Sequence, residues 1–325
     1  DEVIFALNGT DALNIAIKGA VQPGNHVVTT AMDHNSVLRP LSALHDGGGV
    51  TYSIVDADPQ TTLISPDAVI NAVRDNTSLV AINHASNVTG ALQELDPIVE
   101  FCRENEIPLL VDAAQSAGHV PIAFAASGYD ILTCPGHKGL LGPLGTGVLI
   151  LRAEVADWLR PLREGGTGTE SERPFQPEYA PDKFESGSHN AIGIAGLLAA
   201  VEWLQARGVE SVRRHEESLC ARMMHRLSNS NGVTWYGPRD VHQRVGVFSV
   251  RAGSIEPAEL SAALEQFGIL TRSGLHCAPF AHETIGTIET GGTTRFSFGP
   301  FISEEDVDAA TTALANVARG AAQLT

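Results

Sequence analysis

Positive charge is scarce in this chain. Lys and Arg number 21 against 38 Asp and Glu, a formal net charge of −17. No basic run interleaved with aromatics occurs, which argues against nucleic acid as a partner. Long apolar runs are missing too. No stretch of about twenty apolar residues is present, and the start has no basic segment leading into an apolar one, so neither a membrane span nor a signal peptide is indicated. Cysteine is confined to Cys102, Cys134, Cys220 and Cys277, widely separated and without a Cys-x-x-Cys pair. That spacing signals neither a zinc site nor a disulfide framework, and no metal is expected. Free thiols fit a reducing compartment, so the expectation is an acidic, soluble, cytoplasmic protein. An initiator Met is also absent: the chain enters on Asp1-Glu-Val-Ile-Phe-Ala-Leu-Asn8, which reads as a strand met in mid-fold, and an N-terminal segment is expected to be missing.

What is present is enough for a large core. The 325 residues are 43% hydrophobic, a length that suggests two domains, or one with an appendage. The most informative stretch runs from Ile107 to Leu151. Leu109, Leu110 and Val111 form an apolar run that stops at Asp112; Ile131, Leu132 and Thr133 form another that stops short of His137 and Lys138. In an open α/β sheet, ligands lie beyond the carboxyl ends of parallel strands, so a carboxylate and an amine would converge on one crevice. The pair suits pyridoxal phosphate, with Lys138 holding the aldehyde and Asp112 the pyridine nitrogen. Against this stand two plainer readings, since a strand-end Asp is often a helix cap and most lysines are solvated. Gly136, Gly139, Gly142, Gly145 and Gly147 around Lys138 favour the first reading, as a loop whose backbone approaches a ligand closely and takes positive φ.

Other strand ends carry polar turns. Val3 to Leu7 reads as a strand leading into Asn8-Gly9-Thr10-Asp11 and a helix with Leu13, Ile17 and Val21 on one face. The turn is either a phosphate site at a helix N-terminus or an ordinary cap. His26 to Thr30 leads to His34, which reads from its turn as a capping or surface group, and Ser78 to Asn83 leads to Asn87. Asp96 to Glu106 reads as a helix, and Gly165 to Pro181 as a mobile loop. Beyond Gly208 the texture changes to a charged amphipathic helix through Leu227, a strand at Val245 to Val250, a helix at Pro257 to Phe267, a strand end at Ile269 to Thr271, and a last helix from Glu304 to Ala318. Strict alternation is lost, so a smaller α+β domain is expected. The division is placed at 1–206 and 207–325.

Two further features carry chemistry. Cys277 stands in Arg272-Ser-Gly-Leu-His-Cys-Ala, where nearby His276 or Arg272 would favour a thiolate; Cys102 and Cys220 fall on predicted helices as packed apolar groups, and Cys134 stays ambiguous. Arg295 opens the last strand, either as a fork for a carboxylate or in a surface ion pair with Glu304 or Glu305.

Val-Asp-Ala-Ala-Gln-Ser-Ala-Gly-His, Gly-His-Lys and Gly-Pro-Leu-Gly-Thr-Gly together resemble the class V aminotransferases, specifically the cysteine desulfurases, from Asn8 to about Asp308 with gaps. The resemblance implies the type I fold of pyridoxal phosphate enzymes, with a large mostly parallel sheet domain and a smaller α+β C-terminal domain. It also implies roles for residues: Gly9, Thr10 and His137 on the phosphate; His34 stacked on the ring and assisting proton movement; Asn87 beside ring and substrate carboxylate; Gln115 on the phenolate oxygen. Arg295 and Arg272 would bind substrate, Lys138 would move the Cα proton, and Cys277 would carry the persulfide. Ser188, in Gly187-Ser188-His189, would reach the phosphate of a neighbouring chain in a homodimer, and an acceptor protein would take the sulfur. One departure is Pro135, where many desulfurases have a phosphate-binding Ser. The implied reaction converts L-cysteine to L-alanine. Its rivals are a selenocysteine or cystine lyase, a class V transaminase or epimerase, and a non-catalytic interaction protein of this fold.

Overall fold

The computed structural model describes residues 1–322. Its first part alternates strands and helices: β1 Glu2–Ala6, α1 Gly9–Ala20, β2 His26–Thr30, α2 Asn35–Gly48, β3 Thr51–Val55, α3 Pro66–Asn71, β4 Thr77–Asn83, α4 Asp96–Glu104, β5 Leu109–Asp112, α5 Phe124–Ser127, β6 Ile131–Pro135, β7 Gly147–Leu151, α6 Ala153–Trp158 and α7 Ala191–Arg207. The remainder comprises α8 Val209–Ser228, β8 Val233–Trp235, β9 Val247–Ala252, α9 Pro257–Glu265, β10 Arg272–Gly274, α10 Pro279–Thr284, β11 Thr293–Ser297 and α11 Glu304–Ala322.

Seven strands form one sheet in the order β1-β7-β6-β5-β4-β2-β3. Its central strands are short and buried almost throughout because both faces are covered. Val28, Val80, Ile82, Leu109 and Val111 point into one core, and Val27, Leu79, Ala81, Leu110 and Ile131 into the other. This is the period of two expected of a strand, and each fully buried Val, Leu or Ile contributes roughly 1.5–3 kcal/mol. Strands β2 to β6 pair in parallel, whereas β7 runs antiparallel to both β6 and β1. The β6–β7 connection contains no helix to carry the chain back across the sheet, so the strand folds back beside its predecessor. The result is the mostly parallel sheet expected from the sequence.

The second sheet, β10-β11-β9-β8, is wholly antiparallel. Helices α8, α9 and α11 supply Leu219, Leu260 and Leu314 to its own core, with Phe248 and Phe296 from the strands. The strand expected to end at Thr271 instead begins at Arg272, and the helix expected to reach Glu106 stops at Glu104, with Glu106 at a left-handed φ of 53°. Elements α5, α6, α10 and β8 have only 4, 6, 6 and 3 residues, too few for hydrophobic periodicity to register.

The two sheets are tied through buried Arg244. Its guanidinium donates to Thr89 O on the large-sheet side (3.1 Å), and to Pro238 O (2.8 Å) and Val247 O (2.7 Å), and it lies 3.6 Å from the Phe248 ring centroid. A charge this deep persists because its donors find carbonyls and an aromatic face.

Candidate active site

Carboxyl ends of β1, β4, β5 and β6 open onto one cavity of about 680 Å³. Gly9, Thr10, His34, Asn87, Asp112, Gln115, His137, Lys138 and Arg272 all line it, so nine of the residues singled out in the sequence come together. Asp112 and Asn83 are register partners on adjacent strands. Both therefore present polar groups at the same end of the sheet.

Three expected residues stand outside that lining. Cys277 forms part of an adjoining groove of about 380 Å³ that shares Thr10, His34 and Ser36 with the main cavity. Arg295 reaches the site through Asn87, donating from Nη1 to its carbonyl at 2.9 Å. Glu304, the surface partner considered for Arg295, pairs instead with Arg222 at 2.6 Å. Ser188 is exposed and lines neither cavity.

The turn after β1 is held by a helix cap: Asn8 Oδ1 accepts from Asp11 N at 3.0 Å. Gly9 lies against Pro135, where a Cβ would meet Cδ at 3.1 Å. Thus Pro135, in place of a hydroxyl donor, forms a wall under the α1 N-terminus. His34 serves as a cap and also faces the cavity. Its Nδ1 accepts from Ser36 N at 3.0 Å, capping α2, while the ring lines the cavity. Burial first, then Lys138 and the nearby arginines, depress its pKa to about 4. The imidazole is therefore neutral, with its proton on Nε2. Ser36 Oγ lies 2.9 Å from that Nδ1 and 2.8 Å from Thr10 Oγ1. Ser36 thus links the phosphate turn to the ring. It is absent from the sequence-based set, although its position two residues past a capping His is a signal.

Asp112 is buried, and its Oδ1 accepts from Ala114 N at 2.9 Å. Burial raises its pKa, opposed by Lys138 and that N–H. Lys138 is exposed, opening onto the cavity. Desolvation lowers its pKa, with Asp112 acting in the opposite sense and Arg295 and Arg272 adding to the decrease. Asp33, also unselected by sequence reasoning, lies fully buried behind His34 with a pKa raised to about 7, mainly by desolvation.

The glycines around Lys138 act differently from expectation. Only Gly145 of the five takes a positive φ, 76°. Gly136 and Gly139 permit close packing against the protein itself: a Cβ would come within 2.1 Å of Thr146 Oγ1 and 2.2 Å of Ala117 O respectively. Their role is to fix the lysine loop onto its neighbours, not to approach a ligand.

Pyridoxal phosphate fits this residue set. Lys138 and Asp112 face the same cavity, and a helix N-terminus with Thr10 suits the phosphate. Arg272 adds positive charge, and the buried Asn87 Oδ1 and Arg295 Nε have no protein partner. Among the described residues no group of His, Cys, Asp or Glu could hold a metal ion.

Comparison with known proteins agrees with this geometry. The sequence model of aminotransferase class-V matches residues 1–310. A probable cysteine desulfurase of Methanothermobacter thermautotrophicus is 34% identical over 94% of this chain and 77% of its own length. A cysteine desulfurase of Escherichia coli O8 is 28% identical over 98% and 78%. Among solved structures, the apo cysteine desulfurase of Thermococcus onnurineus NA1 superposes with a TM-score of 0.91 at 30% identity, covering 98% of this chain and 80% of that one. The cysteine desulfurase CsdA of Escherichia coli gives 0.88 at 25% identity, covering 98% and 79%. The chain therefore belongs to the aminotransferase class-V family, whose enzymes depend on pyridoxal phosphate.

Proposed function

We propose that the protein is a cysteine desulfurase that converts L-cysteine to L-alanine and takes the sulfur onto Cys277. The observation that carries this reading is the contrast among the cysteines. Cys102, Cys134 and Cys220 are buried, with thiols pushed up to about 12, chiefly by burial. Cys277 is exposed, with Arg272 Nη2 3.9 Å from its Sγ, on a groove continuous with the lysine cavity.

Bound pyridoxal phosphate supplies an electron sink that makes the substrate Cα proton removable. Lys138, its pKa lowered, takes that proton as the amine and later returns one. Asp112 would hold the proton on the pyridine nitrogen, Gln115 would donate to the phenolate oxygen, and Gly9, Thr10 and His137 would hold the phosphate. Neutral His34 would offer a flat face to the ring without adding charge. Arg295, Arg272 and Asn87 fix the substrate carboxylate. The Cys277 thiolate then attacks the substrate Sγ. An S–S bond forms as the Cβ–S bond breaks, its electron pair stays with Cβ, and Cβ takes a proton to leave as alanine.

The same reading divides the chain into residues 1–206 around the cofactor and 207–325 carrying the cysteine loop. It makes the enzyme a cytoplasmic homodimer in which Ser188 contacts the phosphate of the neighbouring site, with an acceptor protein collecting the sulfur. Exposed Leu144, Ile192 and Leu198 support association. The test is incubation with L-cysteine while alanine and sulfide are measured. Alanine should form in the parent and not in Cys277→Ala; alanine from that variant at the parental rate would refute the proposal.

A further inference from the structure

The segment bearing Cys277 adopts an uncommon backbone. His276 and Cys277 have successive positive φ values of 50° and 60°, a left-handed pair that side chains with a Cβ disfavour and that persists only where the surroundings over-determine it. Two hydrogen bonds hold its carbonyls: Asn87 Nδ2 donates to His276 O at 2.6 Å and Asn35 N to Cys277 O at 2.7 Å. The third restraint is the His276 side chain, which is 3% exposed.

A chain of hydroxyls fixes the state of that imidazole. Ser249 Oγ lies 2.7 Å from Val88 O, and because a carbonyl only accepts, the serine proton points there. Thr293 Oγ1 lies 2.7 Å from Ser249 Oγ and must donate to it. With its proton used, Thr293 Oγ1 accepts from His276 Nε2 at 3.1 Å. His276 is thus the Nε2–H tautomer, its Nδ1 buried without a partner. The relay ends on Val88, in the core next to the cavity-lining Asn87, so two adjacent residues grip His276 by both carbonyl and ring.

We infer that His276 is a positioning residue for the nucleophile: its Nε2–H bond to Thr293 holds the left-handed turn that places Cys277 Sγ beside the cofactor cavity. The assignment rests on the reading of Cys277 as sulfur acceptor. His276 touches neither substrate nor cofactor in this arrangement, and Thr293 and Ser249 act only through it.

The test uses the full chain loaded with pyridoxal phosphate. His276→Leu should lower kcat for alanine formation by roughly tenfold to hundredfold, since small displacements of a reacting group cost that much. The L-cysteine concentration that half-saturates the change in cofactor absorption should not move. His276→Gln, whose side-chain N–H can reach Thr293, should recover most of the rate. Should His276→Leu fail to fold or to hold cofactor, Thr293→Val decides in the same way, because valine keeps the shape and removes the acceptor. Parental kcat in the folded variant overturns the inference, as does a fall in kcat that His276→Gln does not relieve. Cys277→Ala assayed alongside separates the two readings. Alanine at the parental rate from that variant overturns both, whereas an inactive Cys277→Ala beside a fully active His276→Leu overturns this one alone.

Discussion

Asp33→Asn should make the protein more stable than its parent by an amount that grows from about pH 4 to about pH 7 and then levels off. Asp33 is fully buried, and its Oδ2 accepts from Thr29 Oγ1 at 3.0 Å, Thr30 N at 2.8 Å and Thr30 Oγ1 at 2.7 Å, while Oδ1 has no partner. Burial raises its pKa from 3.8 to about 7 against those hydrogen bonds, with nearby Asp112 adding to the increase. The folded state thus holds the proton more tightly than the unfolded chain. Well below pH 3.8 the group is neutral in both states and costs nothing; between 3.8 and about 7 the unfolded chain ionises while the folded state holds the proton, so the penalty builds over that window and levels off above it. At about 1.4 kcal/mol per pKa unit, a shift from 3.8 to about 7 corresponds to roughly 4 kcal/mol at full ionisation. Most of that difference, roughly 3 kcal/mol, should develop between pH 5 and pH 8. Asparagine keeps an oxygen acceptor for the threonines and never ionises. Urea denaturation of parent and variant across that range measures the difference directly, since the other titrating groups are common to both. A stability difference that does not change with pH would refute the reasoning.

Lys138→Ala should remove the visible, borohydride-sensitive chromophore of protein purified with pyridoxal phosphate; its survival in the variant would reassign the lysine. Asp112→Asn should retain cofactor yet lose at least about hundredfold in turnover, close to 3 kcal/mol of barrier, and near-parental alanine formation would count against the aspartate's role. Because burial raises the Asp112 pKa, the same change should leave the cofactor-free protein no less stable to urea at pH 8. Mixing Lys138→Ala chains with Ser188→Asp chains should restore activity at one site per hybrid dimer, and an absence of recovery would argue against a shared site.

The sequence by itself picked out nine residues that the fold brings to one cavity. Apolar runs ending in Asp112 and in the Gly-His-Lys turn are strands with polar carboxyl ends, and parallel pairing forces such ends into one crevice. Asn8, His34 and Lys138 were legible because cap, turn and strand signals are local. Cys277 stood out because Cys102 and Cys220 fall on segments of helical apolar periodicity, whereas Cys134, open in the sequence, is buried in the fold. Tertiary structure decided what distant residues do together. Arg295 and Asn87 are 208 positions apart, and no local pattern records the bond between them. The same holds for His276, whose tautomer follows from Thr293, Ser249 and Val88 on separate segments. Asp33 reads as an ordinary turn residue in sequence, and only full burial raises its pKa. The glycines around Lys138 show the same limit: sequence signals that a Cβ is forbidden, but only the fold reveals that the obstacle is the neighbouring loop. Local propensity acts over a few residues, whereas burial and tautomer depend on every segment that packs against the group.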